Sequence, residues 1–461
     1  MKTVRIITLG CAKNEVDSEE IAGVLANKGF RVDAAAEFAD VTVINTCGFL
    51  QAARDEGIAT IRAAVKEKHN GRTGKVIVAG CLAQRIGKDI AKVAPGADAY
   101  VGVGHMERFD EIVELTIGSD DTYFEIPPPH HRWADVPTRA RSGAPWSAYL
   151  KISEGCDHKC TFCTIPSFRG MHQSKPIDRV ESEAKHLART GVREINLIAQ
   201  DVTQYGYDLY KEFTLPKLLA KLNDVEGIDW IRLLYFYPNR LTDEVIDAMS
   251  SLDKVLPYID IPLQHVHPEV LRSMKRPWDG DRYLMLFEKL RRAMPDCAIR
   301  TTFIVGFPGE TEQHFDYLIG WIKEAMLDRV GAFVFSREPG TLAYDMPNQV
   351  SAKVKRSRYD RLMKTQQLIS LEKNRSWLGK RIQVLIEQPA DENWMAGRSF
   401  RDAAEIDGLV YVQGTEIPGE MIEVEVIDAE EYDLYAKPIR RARNTRGRVK
   451  SLRMVAPSNP L

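Results

Sequence analysis

Residues 154–166 read EGCDHKCTFCTIP and set Cys156, Cys160 and Cys163 in a C-x3-C-x2-C spacing. Three thiolates this close on one loop can hold three corners of an iron–sulfur cube, which leaves the fourth iron without a protein ligand. An open iron is a reaction site, because a small chelating molecule can bind there. The competing reading is a zinc knuckle, but structural zinc takes four closed ligands, usually from C-x2-C pairs. No fourth cysteine lies near, and His158 is the sole local substitute. The stretch reads as an iron–sulfur loop.

Of the seven cysteines, Cys11, Cys47 and Cys81 each end a short apolar run: RIITLGC (5–11), DVTVINTC (40–47) and KVIVAGC (75–81). Runs rich in Val and Ile suit strands buried on both faces of a parallel sheet. Helix-like segments follow, such as NEVDSEEIAGVLANKG (14–29), with Asn14 or Asp17 expected near its start and Gly29 at its end. Strand–Cys–helix three times over is βαβ logic. Open α/β sheets place ligands at the carboxyl ends of parallel strands. The three cysteines are therefore expected to converge as a second cluster site. Three unrelated buried thiols are the alternative, since free Cys packs as a small hydrophobe; Cys297 is read that way.

Outward from these cysteines the chain divides into segments. Residues 1–125 form the first α/β unit, and 126–141, with three consecutive prolines, form a stiff linker. Residues 142–375 alternate six strand-like runs (SAYLKIS, REINLIAQD, WIRLLYFYP, YIDIPLQ, IRTTFIVGFPG and GAFVFSREPG) with helical stretches, the pattern of a partial (β/α) barrel. The Cys156–Cys163 loop follows the first of them, where such barrels carry their chemistry. Residues 376–448 hold short alternating runs between Gly and Pro-Gly turns, a small antiparallel barrel. A basic tail (449–461) follows. Eight basic residues and no acidic ones lie between Ala436 and Leu461, which suits either an RNA-facing surface or a solvated tail.

Composition fits a globular enzyme: 461 residues, 44% hydrophobic, 28% charged, net charge −2. No stretch approaches the apolar length of a membrane span, and the opening MKTVRIITLGC is a strand without a signal-peptide core. Clustered thiols without a secretion signal point to a cytoplasmic location and metal binding in place of disulfides.

With Phe162 just before its third cysteine, the loop resembles the signature of the radical S-adenosylmethionine (SAM) superfamily, in which SAM fills the open iron position. The three-part layout resembles the methylthiotransferases, with an N-terminal cluster domain, a TIM-like radical SAM barrel and a C-terminal TRAM domain. GCAKNEVDSEE, INTCGFL, IAQDVTQYGYD, YIDIPLQH and RTTFIVGFPGET are similar to the RimO-type branch, which modifies a ribosomal-protein aspartate. The tRNA-modifying branch more often reads GCQMN, INTCSVR and GQNVN. Ala12-Lys13-Asn14, Gly48-Phe49 and Gln200-Asp201 depart from that wording together.

That resemblance implies two 4Fe-4S clusters, SAM, and an aspartate of small-subunit ribosomal protein twelve as substrate. An unactivated C–H bond at the aspartate β-carbon calls for one-electron chemistry carried by a cofactor. The cluster on Cys156, Cys160 and Cys163 would cleave SAM reductively, fed by a low-potential electron donor, and the fragment would take the hydrogen. The cluster on Cys11, Cys47 and Cys81 would deliver the sulfur, methylated by a second SAM. Glu194 resembles the acidic residue that meets the SAM amino group. Lys151 and Arg169 flank the loop and suit the SAM carboxylate. Gly306 and Gly309 suit close backbone approach or a plain turn. His265 and His267 read as barrel-rim histidines. The competing functions are a tRNA methylthiotransferase acting on a modified adenosine and a non-enzymatic iron–sulfur carrier.

Overall fold

The structure is a computed structural model that describes residues 1–133 and 139–439. Its first unit is a six-stranded parallel sheet, ordered Arg31–Val32, Thr3–Thr8, Ala39–Thr46, Thr73–Gly80, Ala99–Val101 and Tyr123–Glu125. The central strands Ala39–Thr46 and Thr73–Gly80 are almost wholly buried because both faces are covered. Val41, Val43 and Ile77 join Ile21 and Leu25 in one core, while Ile44, Val76 and Val78 join Ile61 and Ala64 in the other. Register positions the site. Thr8 pairs with Asn45, and Thr46 pairs with Gly80. Strands leaving the sheet level with one another deliver Cys11, Cys47 and Cys81 to one edge.

Six parallel strands then follow in chain order around an open arc. Ser147–Lys151, Glu194–Ile198 and Trp230–Leu233 form one half; Tyr258–Asp260, Ala298–Val305 and Arg329–Val334 form the other. The halves are joined by the parallel bridge Ile231–Val255 and by the Phe236 amide donating to Asp260 O at 2.8 Å. This is the partial (β/α) barrel. Helices Ile177–Arg189 and Gly280–Ala293 bury Val180, Ala184, Leu187, Phe287 and Leu290 against it. Each large apolar side chain buried this way contributes about 1.5–3 kcal/mol.

Helix Ala352–Arg375 leads into a closed five-stranded barrel, ordered Arg381–Pro389, Trp394–Ser399, Val410–Gln413, Leu434–Pro438 and Met421–Ala429. Two features differ from the sequence reading. The stretch WMAGRS (394–399) is a strand, hidden in the sequence by Gly397, where a Cβ would sit 2.5 Å from the carbonyl oxygen of Leu385. The pair Val410–Gln413 and Leu434–Pro438 is parallel, so the barrel is not wholly antiparallel. Of the eight tail cations only Lys437 falls inside the described residues, where it pairs with Glu425 at 3.0 Å.

The small barrel seats on the amino-terminal mouth of the large one. Arg232 donates to Phe400 O at 2.7 Å, Arg329 pairs with Asp402 at 2.8 Å, and Arg401 pairs with Asp328 at 3.0 Å. The N-terminal unit instead meets the carboxyl-terminal rim, where Arg54 and Arg85 both pair with Glu338 beyond the last strand. Among the described residues no helix is long and apolar enough to cross a membrane.

Candidate functional site

Cys11 stands at the N-cap of helix Ala12–Asn27. Asn14 is no cap. Its amide donates to Leu9 O at 2.7 Å and Thr46 O at 3.1 Å, tying the loops of Cys11 and Cys47 together. Gly10 has φ +103°, and a Cβ there would lie 2.7 Å from the Cys47 Cβ, so only glycine lets these loops meet. Cys81 opens helix Cys81–Ile86, and its carbonyl oxygen would lie 2.7 Å from a Cβ on Gly48. Three cysteines distant in sequence thus share one rim.

Cys156, Cys160 and Cys163 lie on the loop after the first barrel strand. Thr161 fastens it, its amide donating to Met274 O at 3.1 Å and its hydroxyl to Ser273 O at 2.9 Å. Phe162 packs with Val270, Met274, Phe307 and Phe335. Arg276 approaches the Cys160 sulfur at 4.0 Å and covers the Tyr237 ring, on which His158 stacks at 3.5 Å. His158 also hydrogen-bonds Asp201 through Nε2 at 2.7 Å.

Both trios suit iron–sulfur chemistry. The amide two residues on bonds the sulfur of Cys47, Cys156 and Cys163, from Phe49, His158 and Ile165 respectively. Burial pushes the thiols of Cys81, Cys156 and Cys163 up to about 12, so without metal they stay protonated. Metal binding replaces those protons. Soft donors in threes, with amide hydrogens aimed at sulfur, are a donor set for a cubane.

The two cations expected at the SAM carboxylate stand elsewhere. Arg169 ends the short helix Ile165–Arg169 and is buried. Its Nε donates to Cys81 Sγ at 3.0 Å, one Nη to Asp17 at 3.0 Å and Glu154 at 3.1 Å, and the other to Asn14 at 2.6 Å. Lys151 is likewise buried, paired with Asp17 and, at 3.4 Å, with Glu154. Burial works against the Glu154 carboxylate, yet Arg169, His131 and Lys151 together hold it far below the usual range. The SAM carboxylate contact assigned to Lys151 and Arg169 is corrected to a charge network between the N-terminal unit and the barrel. Asn14, Asp17 and Glu154 were missed. For Asn14 and Asp17 the signal was a polar stripe at i and i+3 on a helix that the apolar strands require to be buried; Glu154, in the short strand Ser153–Glu154 ahead of Cys156, carried no such signal.

Glu194 is also corrected. It is the first residue of its strand, at the mouth opposite the cysteine loop, and is fully buried. Arg398 holds it at 2.5 Å, Arg232 at 3.0 Å, and Ser147 donates at 2.9 Å. Gly306 (φ +75°) and Gly309 (φ +82°) form a turn at the carboxyl end of strand Ala298–Val305. The Gly306 amide donates to Glu310 at 2.9 Å, and burial lifts that carboxyl to about 7 in spite of Arg358. His265 accepts from the His267 amide, and His267 caps the next helix. His267, Glu269 and His314 gather within 4.8 Å, yet both histidines use Nδ1 to accept backbone amides. That leaves the ring proton on Nε2, the atom a metal would need. Cys297 is buried, away from both trios.

Comparison with known proteins agrees with this layout. The profile described as Radical SAM superfamily matches residues 150–322, that described as Uncharacterized protein family UPF0004 matches 3–102, and that of the TRAM domain matches 378–439. The ribosomal protein uS12 methylthiotransferase RimO of Moorella thermoacetica is 44% identical over 436 residues, covering 94% of this chain and 98% of that protein. The protein of the same name from Synechocystis sp. is 43% identical over 443 residues, covering 96% and 98%. Among solved structures, the radical SAM methyltransferase TsrM from Kitasatospora setae, with cobalamin and a [4Fe-4S] cluster bound, shares the fold. Its TM-score is 0.56 at 13% identity, over 86% of this chain and 77% of that one.

Proposed function

The chain belongs to the radical SAM methylthiotransferases of ribosomal protein uS12, and on that premise we propose how its residues divide the work. The enzyme methylthiolates an aspartate of uS12, on the β-carbon, using two 4Fe-4S clusters and SAM. Bound SAM and the clusters supply the one-electron and sulfur chemistry that no side chain can supply.

In this reading Cys156, Cys160 and Cys163 hold the cluster that meets SAM, and Cys11, Cys47 and Cys81 hold the cluster that supplies sulfur. The observation that carries it is the placement of two cysteine trios on either side of helix Ile165–Arg169. That helix starts two residues after Cys163 and ends in a side chain bonded to Cys81. A pair of simple electron relays has no need of open irons. Phe162 and the Gly306–Gly309 turn line the rim on which SAM would lie. A low-potential donor delivers electrons in the cytoplasm. The small barrel carries Glu420, Glu423, Asp428 and Glu430 on exposed positions, a surface suited to a basic ribosomal protein. The tail cations suit nearby ribosomal RNA. A tRNA substrate is not favoured, since the relatives above carry the uS12 name.

Mass spectrometry of uS12 from cells with and without this gene tests the reading. One methylthio group should be lost with the gene; an unchanged uS12 would refute it.

A further inference from the structure

Among the described residues three lysines are buried: Lys13, Lys151 and Lys175. Lys151 is paired with Asp17, and Lys175 with Glu183. Lys13 has no carboxylate partner and no hydrogen-bond acceptor among the described residues. Its ammonium lies 3.4 Å from the centroid of the Tyr235 ring. The side chain is largely buried, yet the ammonium itself keeps contact with solvent, so a carboxylate can still reach it, and the ring face contributes about 2 kcal/mol at most. A lysine held this way is built for an anion that arrives later.

Its position says which anion. Lys13 is two residues past Cys11, in the first turn of helix Ala12–Asn27. Val16, one turn on, packs with Ile198 and Leu234 of the large barrel. Tyr235 follows strand Trp230–Leu233 at its carboxyl end and sits at φ +69°, a conformation a bulky residue adopts only when its surroundings impose it. The Asp260 carboxylate fixes it by accepting the Tyr235 amide at 3.0 Å. The ammonium therefore stands between the N-terminal cysteine trio and the barrel, where a substrate carbon must lie to meet both.

We propose that Lys13 binds the side-chain carboxylate of the substrate aspartate, and so selects aspartate and holds its β-carbon between the two cysteine trios. This rests on the functional reading above. Lysine offers three donors to a carboxylate, and the Tyr235 face keeps the ammonium aimed while the site is empty.

The test measures binding of uS12 and its Asp→Asn variant at the modified position to the cluster-reconstituted full-length enzyme. Wild type should prefer aspartate about 100-fold, the scale for a buried charge pair with one partner neutralised. Lys13→Met should abolish that preference, and Lys13→Arg, which keeps the charge, should retain most of it. The melting temperature of Lys13→Met should equal or exceed that of wild type, because no internal ion pair is lost; a purely structural lysine would lower it. A Lys13→Met enzyme that still prefers aspartate overturns the proposal. Methylthiolation by wild type is read in the same samples, so an enzyme that never modifies uS12 overturns the functional reading through a separate signal.

Discussion

The Nε of Arg169 lies 3.0 Å from Cys81 Sγ, so a side chain of the barrel bonds a thiol of the N-terminal sheet. The same short helix receives Cys163 at its other end, where the Ile165 amide approaches that sulfur at 3.5 Å. One rigid segment therefore touches a sulfur from each trio. Hydrogen bonds and positive charge at a cluster sulfur favour the reduced form. Replacing Arg169 with Gln should make reduction of the N-terminal cluster about tenfold less favourable, a shift of about 59 mV to lower potential. Potentiometric electron paramagnetic resonance resolves the two clusters. An unmoved midpoint would mean that the contact has no electronic consequence.

Replacing Cys156, Cys160 and Cys163 together with Ala should halve the iron of the reconstituted protein and abolish production of 5′-deoxyadenosine. The two trios are separate donor sets, so the N-terminal cluster should persist. Continued SAM cleavage by this variant would move the reactive iron elsewhere.

The converse variant, with Cys11, Cys47 and Cys81 changed to Ala, should still cleave SAM reductively and form no methylthio product. Chromatography of the nucleoside and mass spectrometry of uS12 read the two halves separately. Retained methylthiolation would contradict the division of labour.

The small barrel cannot be removed cleanly, because Arg398 compensates the buried Glu194. Burial opposes the Glu194 carboxylate, but Arg398 and Arg232 hold it at about 2 against an ordinary 4.5. A depressed carboxyl stabilises the fold fully above its unfolded value and loses that stabilisation as it takes up a proton. The contribution, about 3 kcal/mol, should fade as pH falls from about 4.5 toward 2. Arg398→Ala leaves the charge partly uncompensated and should cost about 3–5 kcal/mol at neutral pH, seen in chemical denaturation. Glu194→Gln should flatten the acid limb. A variant as stable as wild type would show that the interface charge is solvated.

The strand-ending runs before Cys11, Cys47 and Cys81, and the loop spacing of Cys156, Cys160 and Cys163, were legible because local pattern determines them. Parallel register alone then brings the first trio to one edge. Glu194, Lys151 and Arg169 misled for the opposite reason. Their partners Arg398, Asp17 and Cys81 come from other units of the chain, and no local pattern announces a contact across 204 residues. Strand Trp394–Ser399 was invisible because Gly397 weakens its propensity while tertiary packing demands it.

The defining step of this enzyme is the breaking of a C–H bond at the β-carbon of a uS12 aspartate. The direct measurement incubates the reconstituted enzyme with SAM, reductant and uS12 carrying aspartate deuterated at that carbon. Deuterium should appear in 5′-deoxyadenosine as uS12 gains one methylthio group. Methylthiolated uS12 alongside unlabelled 5′-deoxyadenosine, or labelled nucleoside without any modified uS12, would contradict the account.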